Sequence, residues 1–291
     1  MPDGGRSLVI PLDDVASNPV FIGERSRPSC ATSVAFVDRN TIACAHFAGK
    51  VLYTFRFDWE AGTYQRLGLV DTTYDGARCS TDLMTANGDG LVVTTNFFEG
   101  ACTVYRYDGQ SVRFLRDLAF RNGEVLHGVK FYTPTIVAAT SRRTRAGVHF
   151  FDVETSQPVW TINTPGRSVQ DVCFVSPGRL VMISTTNSPK MAPHDMWGSV
   201  FEVIDFDLGG RAQRVFEKVY PRAHLDSVVM DGEFLYLTNQ YDNLVMVMNA
   251  RSFEPCEPIG GFSFPHGIDV KHGMMAVTNY GRNTVEIRAG V

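Results

Sequence analysis

Two stretches toward the end of the chain read almost as copies: LYLTNQYDNLVMVM at 235–248 and MAVTNYGRNTVEI at 275–287. Each is an aliphatic run ending in Thr-Asn, then a polar turn holding Asn, then a second aliphatic run. Short apolar runs bounded by Asn, Asp and Gly mark strands joined by tight turns. A unit that recurs at a fixed spacing marks a repeat architecture.

Working outward, a related unit opens at Thr32-Ser33-Val34, Thr81-Asp82-Leu83, His127-Gly128-Val129, Gln170-Asp171-Val172, Asp226-Ser227-Val228 and His266-Gly267-Ile268. The first two also share Cys30-Ala31-Thr32-Ser33-Val34 against Cys79-Ser80-Thr81-Asp82-Leu83. Spacings of roughly 40 to 56 residues suit one four-stranded blade each. Helical periodicity is nearly absent. The expectation is an all-β, six-bladed β-propeller of four-stranded antiparallel blades, a single domain spanning 1–291. The sixth unit ends after its third strand, and Ser7-Leu8-Val9-Ile10-Pro11-Leu12 is expected to supply the missing outer strand. That would close the ring and cover an open sheet edge.

The segment Val277-Thr278-Asn279-Tyr280-Gly281 resembles the repeat of YVTN propellers, and Leu237-Thr238-Asn239-Gln240-Tyr241 is a second copy. His266-Gly267-Ile268-Asp269-Val270 is similar to the strand opening of NHL-type propellers. Six units resemble the NHL, gluconolactonase and strictosidine-synthase-like propellers. The resemblance implies a central funnel as the place of function, in proteins that include lactonases, lyases and pure binders. Gluconolactonase-like propellers hold a divalent cation there with Glu, Asn and Asp ligands, so the resemblance implies one divalent cation.

In each unit the start of the first strand and the end of the second share one face of the disc. The inner ring at that mouth is read as Thr32, Thr81, His127, Gln170, Asp226 and His266. The second ring is read as His46, Asn96, Ser141, Thr185, Asn239 and Asn279. Blades three and six lie half a turn apart, so His127 and His266 are expected to face each other with Asp226 beside them. These three are the candidate catalytic residues and the candidate metal ligands. Gln170, Asn239, Asn279, Asn96, His46 and Tyr280 are candidate substrate contacts. Polar residues at blade tips also cap strands and satisfy backbone groups, which is the plainer account of the Asn and Thr positions.

Two loops belong to the same face. Ser141–Gly147 carries Arg142, Arg143 and Arg145, with Arg282 and Lys50 in equivalent loops; paired guanidinium donors suit an anionic small molecule. Ser184–Gly198 is long and carries His194, Asp195, Met196 and Trp197. Loops of this length are functional or disordered, and this one is read as a lid bringing Trp197 over the funnel.

A net charge of −4 over 291 residues gives no general attraction to nucleic acid. No apolar run approaches 18 residues, so no membrane span is expected. The opening MPDGGRSLVIPLDD lacks a basic stretch followed by a long apolar run, which is read as cytoplasmic. The six cysteines form no CxxC pair and are read as buried free thiols.

No nucleophile elbow, phosphate loop, zinc-protease motif or dinucleotide fingerprint occurs. Three functions follow. The first is a metal-assisted hydrolase or lyase, with imidazole and carboxylate ligands for zinc or amide and carboxylate oxygens for calcium. The second is metal-free acid–base chemistry by His127 and His266 on an anionic substrate held by Arg142 or Arg282. The alternative is a non-enzymatic binding or scaffold propeller.

Overall fold

The computed structural model describes residues 6–12, 19–22, 25–28, 31–47, 51–72, 80–119, 124–142, 147–186 and 198–291. Every regular element among them is a β-strand. Blade one is built from Ala31–Asp38, Thr41–His46, Val51–Asp58 and Thr63–Asp71. Blades two, three and four repeat this meander, beginning with the inner strands Thr81–Ala86, Leu126–Phe131 and Arg167–Ser176. Blade six pairs Pro265–Lys271, Met274–Asn279 and Thr284–Ala289, and Ser7–Pro11 adds antiparallel to Thr284–Ala289 as its outer strand. Leu8 and Ile10 face inward, opposite Ile287 and Val285. The closure expected from the sequence is what forms.

Blade five has three regular strands, Leu225–Asp231, Phe234–Asn239 and Leu244–Asn249. Its outer position is filled by the segment 254–259, bridged at Val245–Ile259 and Met248–Pro255. Pro255 and Pro258 carry no backbone N–H, so this fourth strand is reduced to isolated bridges. A short hairpin, Pro19–Ile22 with Arg25–Pro28, precedes blade one.

Hydrophobic side chains explain why the blades form a ring. Among the described residues, buried apolar side chains form six clusters, and each lies between two successive blades. The cluster that joins blade six to blade one holds Leu8, Ile10, Val285 and Ile287 against Val34, Phe36 and Tyr53. Each blade therefore buries both faces, and removing any one would expose two clusters. Cys44, Cys102 and Cys173 are buried in these layers as free thiols, and burial pushes the last two up to about 12. Cys256 is also a free thiol but is exposed, contrary to expectation, because it sits on the interrupted outer edge of blade five. Cys30 and Cys79 lie outside the described residues.

Every inner strand also shifts register near its start, between Ala31 and Ser33, Thr81 and Met84, Leu126 and Val129, Val169 and Asp171, Leu225 and Val228, and Pro265 and Ile268. Such bulges re-aim side chains. In four blades a threonine one residue before the end of the second strand fills the gap. Thr140 Oγ1 accepts from Gly128 N at 2.7 Å and donates to Gln170 O of the next blade at 2.9 Å. Thr95, Thr238 and Thr278 do the same, donating to His127 O, His266 O and Thr32 O. The Thr of the repeated Thr-Asn pair is thus an inter-blade clamp. Replacing Thr238 with valine would leave the Ser227 N–H and the His266 carbonyl without it. Unfolding in urea is expected to show a loss of about 1–3 kcal/mol.

Candidate functional site

The bulges turn one side chain per blade toward the axis. From blade one to blade six these are Thr32, Asp82, His127, Gln170, Asp226 and His266. Thr81 was read as the ring member of blade two; it instead pairs with Asn96 in the regular ladder, and Asp82 occupies the bulge. The repeat unit matches one residue early in this blade, and a one-residue step along a strand reverses the direction of the side chain.

Four of the six converge. His127 and His266 approach across the axis with ring centroids 5.5 Å apart. Asp82 and Asp226 sit between them on opposite sides. His127 Nε2 is 3.5 Å from Asp82 Oδ2 and 3.5 Å from Asp226 Oδ1. His266 Nε2 is 3.6 Å from Asp82 Oδ1 and 3.3 Å from Asp226 Oδ2. All four side chains are buried. The far nitrogens are held by backbone: His127 Nδ1 lies 2.8 Å from Gln170 O, and His266 Nδ1 lies 2.8 Å from Thr32 O. Each histidine is therefore anchored to the following blade.

Burial sets the electrostatics. Taken out of water, the Asp82 carboxyl is pushed up to about 7, against the pull of the nearby His266. Burial also raises Asp226. It lowers His127 well below the ordinary imidazole range, with the Arg142 charge adding to the effect. His224, on the segment leading into blade five, is brought down to about 3 by burial and then by Arg142. Its Nε2 is 3.8 Å from Asp226 Oδ1.

Above this floor is a cavity of about 420 Å³. Its wall is an aromatic collar of Phe47, Phe97, Phe98, Tyr241, Phe264 and Tyr280, with Arg142 and Gln240 among them. Tyr280 stacks on His266 at 5.5 Å, and Phe97 meets His127 edge-on at 6.1 Å. The Arg142 guanidinium lies 5.4 Å from the centre of the Phe97 ring and donates to Ser168 Oγ at 3.2 Å.

The candidate residues divide sharply. His127, His266, Asp226, Arg142 and Tyr280 line the cavity. The second ring does not. Asn96 donates to Thr103 Oγ1, Asn239 to Asp242, and Asn279 accepts from Ser263 N while donating to Glu286. These amides hold their own loops, which is the plainer account given above. His46 is buried away from the cavity, Gln170 donates to Thr185 Oγ1, and Arg282 is exposed. The residues that do reach the cavity come one position later: Phe47, Phe97, Arg142, Gln240 and Tyr280. Alternation along a strand makes neighbours point to opposite sides, so at these strand ends the residue after the expected one enters the cavity. Residues 187–197 of the proposed lid, Trp197 among them, and Lys50, Arg143 and Arg145 lie outside the described residues. Asp82 and His224 were missed; an unexpected carboxyl beside the repeat start and the His in His224-Leu225-Asp226 were the available signals.

No protein-family model matches this sequence, and no curated protein matches it. Among solved structures, the chain is similar to the β-propeller domain of Cps50 (Swd1) from Myceliophteria thermophila. The TM-score is 0.58 at 11% identity, over 92% of this chain and 85% of that one. It is also similar to hydrazine synthase from Kuenenia stuttgartiensis, with a TM-score of 0.61 at 11% identity over 90% and 96% of the two chains. The computationally designed protein Ika8 gives 0.52 at 14% identity, over 91% and 72%. The protein is thus a six-bladed β-propeller by strand order, ring closure and likeness to known propellers. At these identities the likeness extends to the fold alone.

Proposed function

We propose that the protein is a hydrolase or lyase acting on an anionic small molecule in the central funnel. The observation that carries this reading is the convergence of Asp82, His127, Asp226 and His266 at the floor of an aromatic cavity. Four ionisable side chains buried at one point are costly to folding, and such arrangements concentrate at reaction centres. Asp82, with its carboxyl poised near 7, is able to give up a proton at neutral pH. Arg142 at the wall supplies the charge that an anionic substrate needs, and the aromatic collar surrounds the reacting atoms with apolar surface. This is the simplest role for a guanidinium among aromatic rings.

The test is a turnover screen over carboxylate-bearing esters, lactones and β-substituted acids. Turnover is expected for at least one class. Asp226→Asn is expected to lower it by about 100-fold or more with little change in the unfolding midpoint. Arg142→Leu should raise KM more than it lowers kcat. If no member of the panel turns over, and Arg142→Leu leaves carboxylate binding unchanged, the binding or scaffold reading replaces this one.

A further inference from the structure

We propose that Asp82, His127 and His266 bind one divalent transition-metal ion, with Asp226 beside it and zinc the ion that best fits the donors. The proposal rests on the reading of the funnel floor as the working site, and it adds the species that organises that floor.

The argument begins with the histidine nitrogens. A backbone carbonyl only accepts hydrogen bonds, so the 2.8 Å contacts to Gln170 O and Thr32 O place the ring proton on Nδ1 of both histidines. In a neutral ring Nε2 then carries a lone pair. Both lone pairs point to the axis, where they meet carboxylate oxygens at 3.3–3.6 Å. Lone pair against carboxylate is repulsive unless a cation lies between.

A proton is a poor candidate for that cation. Charge-assisted N–H···O bonds close to about 2.7–2.9 Å, well inside all four separations. One proton would draw a single pair together and leave the other three. Asp226 Oδ2 is buried without a hydrogen-bond partner and faces His266.

A metal ion answers each point. Two ligands that share a zinc at about 2.0–2.2 Å in a tetrahedron stand about 3.3–3.6 Å apart; each histidine nitrogen stands at that spacing from one oxygen of Asp82, Oδ2 for His127 and Oδ1 for His266. One donor atom each from Asp82, His127 and His266 lies within 4.8 Å of the other two. The Nδ1 bonds to carbonyls are the outer contacts that orient histidines in metal sites. Calcium takes six to eight oxygens; the amides of Asn96, Asn239 and Asn279 are committed to their loops, so the all-oxygen calcium set expected from the sequence does not form. Bound zinc would supply a Lewis acid for a carbonyl or phosphoryl oxygen.

The experiment uses the full chain, untagged and purified without chelator. Metal content is measured by inductively coupled plasma mass spectrometry, then the chelator-stripped protein is titrated with zinc and with cobalt(II). About one equivalent is expected, with the intense visible absorption of four-coordinate cobalt. Asp82→Asn and His266→Gln are each expected to weaken zinc binding by about 100-fold or more. A zinc-dependent rise in the unfolding midpoint of the unaltered protein covers the case in which a variant does not fold. Substoichiometric binding by the unaltered protein, or binding that survives both substitutions, overturns the site. Zinc binding without turnover in the screen leaves the site standing and removes the hydrolase or lyase reading. Turnover by a protein that fails to take up zinc does the reverse.

Discussion

Replacing Asp171 with alanine is expected to lower the free energy of unfolding by about 3–5 kcal/mol, one of the largest single-residue effects in the fold. Asp171 is fully buried on the inner strand of blade four and joins three blades. Its Oδ2 accepts from Ser227 Oγ at 2.9 Å and Val228 N at 3.0 Å in blade five, and pairs with Lys130 Nζ of blade three at 3.0 Å. Its Oδ1 accepts from Val172 N. Alanine would strand a largely buried ammonium and two backbone donors. Urea unfolding monitored by circular dichroism measures the loss. The charge is the main cause, so combining Asp171→Leu with Lys130→Met should recover much of it. If the double variant is no more stable than Asp171→Ala, the lost backbone bonds dominate instead.

Gly128→Ala is expected to be nearly as damaging, and to reach the funnel as well. A Cβ at Gly128 would lie 2.3 Å from Asp171 Oδ1 and 2.7 Å from both Asp171 Cα and Gln170 O. Two of these atoms belong to backbone that has no room to retreat. A cost of about 2–4 kcal/mol follows from overpacking of this kind. The displaced strand also carries His127 and its anchor, so zinc or carboxylate binding at the floor should weaken by more than stability alone would explain. Gly267 faces the same crowding from Thr32 O and Ser33 Cα, at 2.6 and 2.7 Å. Gly260, with nothing within 4 Å of its built Cβ, is the control. Gly260→Ala should stay within about 0.5 kcal/mol of the unaltered protein.

That crowding also explains a feature visible in the sequence. Histidine is followed by glycine in blades three and six, the two blades whose imidazoles meet at the axis. The glycine admits the neighbouring inner strand, and the histidine bonds its carbonyl. The pair reads as one device only once the neighbouring blade is present.

What the amino-acid order determined was the repeat. Six strand openings, the turn residues between aliphatic runs and an unpaired Ser7–Leu12 segment carry blade number and closure, because those signals are local and blade packing needs apolar faces on both sides of every sheet. The facing of His127 and His266 followed from six-fold geometry. Tertiary structure decided which residue at each strand end looks inward. Asp82 replaced Thr81 because the repeat unit matches one residue early in blade two, and alternation along the second strands gave Phe47, Phe97 and Tyr280 the places assigned to His46, Asn96 and Asn279. Convergence at the axis joins residues 40 or more positions apart, and no local spacing records it. Only closure of the ring brings two imidazoles and two carboxylates to one point, and burial there then raises Asp82 and Asp226 and lowers His127.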